Sequence, residues 1–554
     1  MKRAQFVEGP AGSGKTSYAV NYVRSLITEQ GARPEHILLL VPQRILGRPY
    51  QIAFSSPEWP GGAEITPVTI GGLARRSLEL FWPLVAEQAG FAHPTWEPGF
   101  LTIETAQYFM AQFVNEAVET GVFDSISVTP FRIMNQTLDN LSKAAMNQFS
   151  LDEVASRLIA GWGDRHSSRP PVYRASVDLA ARFREHCLQN SLLDFSLQID
   201  LFVKYLLREP VFSRYFKRTY RHLVADNLEE NFPVVADFVR WAWDDLDSAL
   251  LVYDSDAGYR SFLGADPAGM HDLIDLCDDV LRLDPLQSTN PAMLALAAEF
   301  SNRLGSAAPG SVPAQTNPLQ AVQFSTHTFY PQMIDWTTER IGDLIAAGVP
   351  PREIVVLAPF LGDSLRFSLI QGLEERRIPV VSHRPSRAVR DEPAARTVLA
   401  LMSLANPEWG YPPPPPDIAD ALGQVIDELD PARAWLLTSI VYKQHSGELG
   451  SFDVIEGNVQ QRITYRAGER YEGLRQWLVN SHELAVSNPP DVFISYLFGE
   501  ILSQPGFGYH ADLEAGRVIA ELVESARKFR QTLYPHGVDD WSSVSKEYVT
   551  LVRS

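Results

Sequence analysis

The feature that most constrains this chain lies at its start. Arg3 to Glu8, "RAQFVE", has the character of a short strand, and "GPAGSGKT" follows at once. The run fits G-x-x-x-x-G-K-[ST], with Gly9, Gly14, Lys15 and Thr16 on the fixed positions. Beyond it, "SYAVNYVRSLITEQ" sets Ala19, Val20, Val23, Leu26 and Ile27 at helical spacing. A strand that turns through glycines into a helix commits this part of the chain to an α/β fold. Glycines let backbone N–H groups turn inward around phosphates, and the helix N-terminus adds partial positive charge. Lys15 then meets the β- and γ-phosphates, and the Thr16 hydroxyl is a ligand for Mg²⁺. With Pro10, Ala11, Gly12, Ser13 and Ser17, these residues make a nucleotide-binding loop expected to take ATP and Mg²⁺. The plainer alternative, a Gly-rich turn that only caps a helix, leaves the lysine and the preceding strand without a purpose.

Further elements follow from the pattern of apolar residues. "HILLLVPQ" (His36 to Gln43) is apolar without alternation, as a strand buried on both faces of a parallel sheet should be. "EITPVTIGGLARRSLELFW" (Glu64 to Trp82) predicts a strand, a turn and a helix. From about Thr102 to Asn190 the spacing is helical. Strand signals return at "RHLVAD" (Arg221 to Asp226) and "ALLVYD" (Ala249 to Asp254), around the helix "PVVADFVRWAWDDL". "SAAPGSVPAQTNP" (Ser306 to Pro318) has linker composition. A second α/β unit is expected to open with "AVQFST", the helix "MIDWTTERIGDLIAAG" and the strand "EIVVLAP" (Glu353 to Pro359). "YPPPPP" (Tyr411 to Pro416) predicts stiff polyproline, and mainly helix follows to Ser554.

At 554 residues the chain needs more than one core. Lys+Arg number 48 against Asp+Glu 67, a net charge of −19, which argues against indiscriminate coating of DNA or membranes. Cys187 and Cys277 are too few for a disulfide framework or a Cys₄ metal cluster. No signal-peptide pattern and no membrane-length apolar stretch is present, so a cytoplasmic protein with no membrane partner is expected.

The order of these segments resembles the superfamily 1 DNA helicases of the UvrD/Rep/PcrA type, from Arg3 to about Asn406. "NSLLDFSLQIDLFVKYL" (Asn190 to Leu206) is similar to the family's "LDFDDLL" segment, and "YRHLVADNLEENFPV" to its Mg²⁺ motif. "LLVYDSDAGYRSFLGADP" (Leu251 to Pro267) is similar to "VGD-x-DQSIY-x-FRGAD", and "IPVVSHRPSRAVRDEPAARTVLALMSLANP" (Ile378 to Pro407) to a later motif. The resemblance implies RecA-like P-loop NTPase domains with large helical insertions. Residues 1–100 and 186–305 would be the first such domain, and 101–185 its insertion. Residues 318–406 would begin the second, and 407–554 would be the insertion of that domain. Its return half is not recognised before Ser554, so a fragment of a longer chain is expected. The resemblance also makes Asp226 the Mg²⁺ carboxylate, Asp254 a nucleotide-site residue, and Thr69, Tyr259 and Phe262 contacts to nucleic acid.

The departures from the family gather at catalysis. Asn227 stands where the family has its catalytic Glu, and an amide cannot take a proton, so a general-base contribution of roughly 10²–10⁴ in rate is at stake. Glu229 and Glu230 either substitute or form the solvated first turn of a helix starting near Pro233, the second being the expectation. Ala257, Leu263 and Tyr253 replace a Gln, an Arg and a Gly of the family, and Gly71 replaces a His beside Thr69. "LLLVPQ" stands in place of "TFTNKAA", which makes the start of the chain similar to the B subunits of AddAB-type helicase–nuclease complexes. Two functions follow. One is an ATP-dependent DNA helicase or single-strand translocase of DNA repair and recombination, with Lys15, Asp226, Asn227 and Glu229 as the catalytic set. The other is a non-motor subunit that holds DNA and nucleotide for a helicase–nuclease partner. An unrelated P-loop phosphotransferase would leave the Asp226 and Asp254 segments unexplained. In "FSRYFKRTYRH" (Phe212 to His222) cations interleave with aromatics as in single-strand binders, though core packing of those rings is expected. Arg376, Arg377, Arg384, Arg387 and Arg390 are either phosphate contacts or a solvated face.

Overall fold

Strand β1 (Arg3–Gly9) runs through a five-stranded parallel sheet with β2 (Ile37–Leu40), β5 (His222–Ala225), β6 (Ser248–Asp254) and β7 (Asp279–Arg282), in the order β2-β5-β6-β1-β7. The computed structural model describes residues 3–60, 64–162, 169–283, 290–304, 316–381, 389–534 and 537–553. Register aligns the carboxyl ends, with Gly9 beside Asp254, Ala225 beside Leu251 and Leu40 beside Ala225. Strands buried on both faces must be apolar throughout. Ile37 to Leu40 are all buried, as are Ala249 to Val252. Helix α1 (Lys15–Thr28) sets Ala19, Val23 and Leu26 into a cluster with Val7, Leu39, Val224, Leu250 and Val252.

The strand expected at Glu64 shrinks to a single bridge, in which the Val68 N–H donates to Leu39 and the Val41 N–H to Val68. Pro67 has no N–H to extend the ladder. Helix α2 (Arg48–Phe54) precedes it and α3 (Ile70–Phe81) follows. The helical insertion is bounded by a two-strand clasp, β3 (Gly99–Phe100) parallel to β4 (Leu192–Leu193). Between them run α4 (Ile103–Glu119), α5 (Pro130–Met146), α6 (Leu151–Trp162) and α7 (Arg169–Gln189). Helices α8 (Phe195–Lys204) and α9 (Pro210–Thr219) lead back to the sheet. After β5 come α10 (Pro233–Ala242), β6, α11 (Pro267–His271), β7 and α12 (Pro291–Leu304).

The chain divides into two compact units, residues 1–322 and 323–554. Most of the expected linker, residues 306–315, lies outside the described residues. In the second unit α13 (Tyr330–Ala346), α14 (Asp363–Glu374) and α15 (Pro393–Ala405) form, but neither "AVQFST" nor "EIVVLAP" is a strand. Val355 and Leu357 are 72% and 89% exposed. A parallel strand needs neighbours to take its N–H and C=O groups, and the described residues of this unit offer only a short antiparallel hairpin, Tyr442–Lys443 with Glu448–Leu449, and a single antiparallel bridge between Ile426 and Phe507. The core is helical instead: α15, buried over nearly its whole surface, packs with later helices through Ile418, Leu422, Tyr471, Leu522 and Tyr548. The polyproline expectation holds only in part, because Pro414 is extended while Pro415 and Pro416 open a helix, where a missing N–H costs nothing. Among the described residues no helix is long and apolar enough to cross a membrane.

Candidate nucleotide-binding site

The loop from Gly9 to Gly14 leaves the carboxyl end of β1, and Gly12 and Gly14 sit at φ 81° and 87°, a region where glycine carries no Cβ penalty. A Cβ on Gly9 would come within 2.7 Å of Ser13 Oγ and 3.0 Å of the Leu283 carbonyl oxygen, so the loop is drawn in as tightly as backbone allows. Gly14 offers α1 no side-chain cap, so no side chain at that position satisfies the N–H groups of the first helical turn. Ser13 Oγ is buried without a hydrogen-bond partner in the protein.

Lys15 is the first residue of α1 and is only 7% exposed. Its Nζ donates to the carbonyls of Gly9 and Pro10, each at 2.7 Å, and meets Asp254 Oδ2 at 3.0 Å. The register of β1 with β6 produces this pairing, since it sets Asp254 beside Gly9. Thr16 Oγ1 donates to Asp226 Oδ2 at 3.1 Å. Four predicted residues, distant in sequence, thus meet at the carboxyl ends of β1, β5 and β6, where ligands of open parallel sheets bind.

Asp226 is buried, and burial raises its carboxyl pKa against the lowering effects of Tyr50, the Asn227 N–H, Thr16 and Lys15. The Asn227 N–H donates to Asp226 Oδ1 at 2.8 Å. Asn227 itself is left-handed, φ 54° and ψ 49°, a conformation that Asn tolerates better than Glu does. Its side-chain amide points to Glu229 Oε1 at 3.5 Å, too long for a strong bond.

Glu229 and Glu230 correct the solvated-turn expectation. They form their own short turn, Leu228–Glu230, ahead of α10, and Glu229 is 1% exposed. Glu229 Oε2 accepts the Asp254 N–H at 2.9 Å, while Glu230 Oε1 accepts from Gly258 N at 3.4 Å. Burial pushes the Glu229 carboxyl up to about 7, against the lowering effect of the Asp254 N–H. Asp254 also accepts the Asp256 N–H at 2.9 Å, and burial followed by the charge of Asp254 raises Asp256.

The predicted nucleic-acid contacts are not of one kind. Thr69 caps α3, accepting the Gly72 N–H at 3.1 Å, so its hydroxyl already has a structural duty. At the neighbouring Gly71, a Cβ would meet the Phe195 ring at 2.8 Å, which accounts for a glycine there. Tyr259 and Phe262 are 78% and 77% exposed, on a turn held between Gly258 and Gly264, both at φ 107°. From Phe212 to His222 the expectation of core packing holds for Phe212 and Phe216, buried against Phe238 and Trp241, but not for Tyr215, which is exposed, while Lys217 and Arg221 pair with Asp245 and Asp247. Arg384 and Arg387 lie outside the described residues, and Arg376 turns back to the Gly372 carbonyl.

One residue of the site has no sequence signal. Tyr50, in α2, is fully buried and donates to Asp226 Oδ2 at 2.6 Å. It is one aromatic in a helix after β2, and only the pairing of β2 with β5 brings it to Asp226.

The donor set fits Mg²⁺ held together with phosphates. Thr16 and Asp226 supply hard oxygen ligands, the type Mg²⁺ takes alongside substrate phosphates. Among the described residues no group of three or more His, Cys, Asp or Glu could hold a metal ion by itself. No protein-family model matches the chain, and no curated protein matches it.

Proposed function

We propose that this protein binds Mg²⁺-ATP through the loop from Gly9 to Ser17 and acts on DNA as a helicase-type ATPase of repair and recombination. The observation that supports it most is the meeting of Lys15, Thr16, Asp226 and Asp254 on one sheet edge, built from residues as much as 239 positions apart. A Gly-rich turn that only capped a helix would need neither a buried ammonium nor a buried carboxylate opposite the first helical turn. In this reading Lys15 and the N-terminus of α1 hold phosphate oxygens, and Thr16 with Asp226 would hold Mg²⁺, which neutralises the charge that develops on the transferring phosphoryl group. Glu229 then takes the role that Asn227 cannot. Its carboxyl, pushed up to about 7, suits proton acceptance near neutral pH. The exposed rings of Tyr259 and Phe262 leave the end of β6 a few residues after Asp254, and offer stacking faces to bases.

A second reading, a non-motor subunit that holds nucleotide and DNA for a helicase–nuclease partner, draws on Asn227. That side chain has no acidic group, and its left-handed backbone disfavours Glu there. Steady-state ATP hydrolysis with and without single-stranded DNA separates the two. DNA-stimulated turnover that Lys15→Ala abolishes supports the motor. ATP binding without turnover in either condition supports the scaffold, and failure to bind ATP at all removes both.

A further inference from the structure

We infer that Tyr50 is a positioning residue for Asp226: its hydroxyl holds Asp226 Oδ2 in the orientation in which it accepts from Thr16, and so turns the free position of Oδ1 toward the metal–nucleotide complex. The inference rests on the nucleotide-site reading above.

An ionised carboxylate has about four lone-pair positions. At Asp226, Oδ2 accepts from Tyr50 at 2.6 Å and from Thr16 at 3.1 Å, while Oδ1 accepts the Asn227 N–H at 2.8 Å. Both positions of Oδ2 are therefore spent, and one is left on Oδ1. Thr16 gives its proton to Asp226, which keeps the lone pairs of its oxygen free to ligate a cation. Asp226 thus orients the Thr16 hydroxyl, and its remaining position would face the cation or accept a hydrogen bond from one of its waters.

Tyr50 is built to stay. It is fully buried, so its hydroxyl has no water to fall back on, and a buried hydroxyl without an acceptor is costly. The ring belongs to the cluster of Val41, Leu39 and Ile65 and contacts Phe54, whose ring centre is 6.0 Å away. The start of α2 is held close to the β2 edge, because Gly47 would bring a Cβ within 2.7 Å of Pro67 Cβ. Asp226 cannot change rotamer without stranding the Tyr50 hydroxyl.

The test uses a fluorescent ATP analogue and the full chain, titrated with MgCl₂ and separately in EDTA. Tyr50→Phe keeps the ring and removes one donor to a charged acceptor, so the Mg²⁺ concentration for half-maximal binding should rise about tenfold. Affinity in EDTA should stay within twofold, a split that mere loosening of the fold would not give. In an Asp226→Asn background the same substitution should change the Mg²⁺ requirement by less than twofold. An unchanged or lowered Mg²⁺ requirement in Tyr50→Phe overturns the inference alone, as does an undiminished effect in the Asp226→Asn background. Should Tyr50→Phe unfold, the chain with 3-fluorotyrosine placed at position 50 carries the test: its fluorine resonance should move when MgCl₂ is added to the analogue-bound chain and stay in place in EDTA, whereas a resonance that does not respond to Mg²⁺ refutes the inference. If the unaltered chain binds no analogue with or without Mg²⁺, the nucleotide-site reading itself falls.

Discussion

Two halves of the same sheet edge are made in different ways. On the β1 side, the phosphate loop is a run of consecutive residues whose shape comes from glycine backbone, and its single charge, Lys15, is neutralised on the spot. On the β5–β6 side, Asp226, Glu229, Asp254 and Asp256 crowd together, and burial disfavours the ionised forms of Asp226 and Glu229. The first half depends on glycine conformation and takes its one counter-ion, Asp254, from β6. The second depends on hydrogen bonds from Tyr50, Thr16 and backbone N–H groups to keep acids charged in a dry place. In the proposed reading, holding a nucleotide and turning it over are therefore separable, and substitutions should divide them.

The largest effect is expected at Lys15. Lys15→Ala removes a charge-assisted contact to phosphate and strands Asp254 as a buried anion, so ATP affinity should fall by about 10²-fold or more in an equilibrium titration. A loss below threefold would put the cradle elsewhere. Next comes Glu229→Gln, which leaves shape intact but removes the proton acceptor. Turnover should drop by about 10²-fold while ATP affinity holds within threefold; equal losses in both would erase the division between the halves.

The same substitution should also be visible in stability. A carboxyl held near 7 when folded, against an ordinary value of 4.5, binds its proton more tightly in the native state, so its burial costs nothing at low pH and costs increasingly as pH rises between those two values. Relative to the unaltered chain, Glu229→Gln should gain about 2–3 kcal/mol on going from pH 5 to pH 8, read from urea unfolding. A flat difference would mean that Glu229 is solvated. The smallest effect is at Asn227, where Gly should be near neutral and Glu should cost about 1 kcal/mol for its left-handed backbone. Thermal unfolding of the two variants side by side would show whether the site could accept an acid there at all.

How far the sequence led is seen in two similar apolar runs. "ILLL" at Ile37 and "IVVL" at Ile354 carry the same strand signal, yet only the first is a strand. Local pattern states that a segment can be buried on both faces; whether β5 or any other strand lies alongside is decided far away in the chain. The phosphate loop was legible because its chemistry is written in consecutive residues. Asp226 and Asp254 were legible through the order of motifs around them. The burial of Glu229 was not, because a Glu-Glu pair before a helix looks like a solvated turn until β6 presents its backbone N–H. Tyr50 had no local signature whatever, since what it does depends on which strand lies next to β2.

The Lys15 ammonium enters the story already matched with a counter-ion. Its three protons go to the Gly9 and Pro10 carbonyls and to Asp254, so in the proposed reading a phosphate that takes it exchanges with one of these acceptors, and Asp254 is the only charged one. The Asp254 backbone N–H donates to the Glu229 carboxylate on one side, and Asp254 Oδ1 accepts the Asp256 N–H on the other. The stretch leading to the exposed Tyr259 and Phe262 rings therefore begins at the residue that also balances the charge of Lys15.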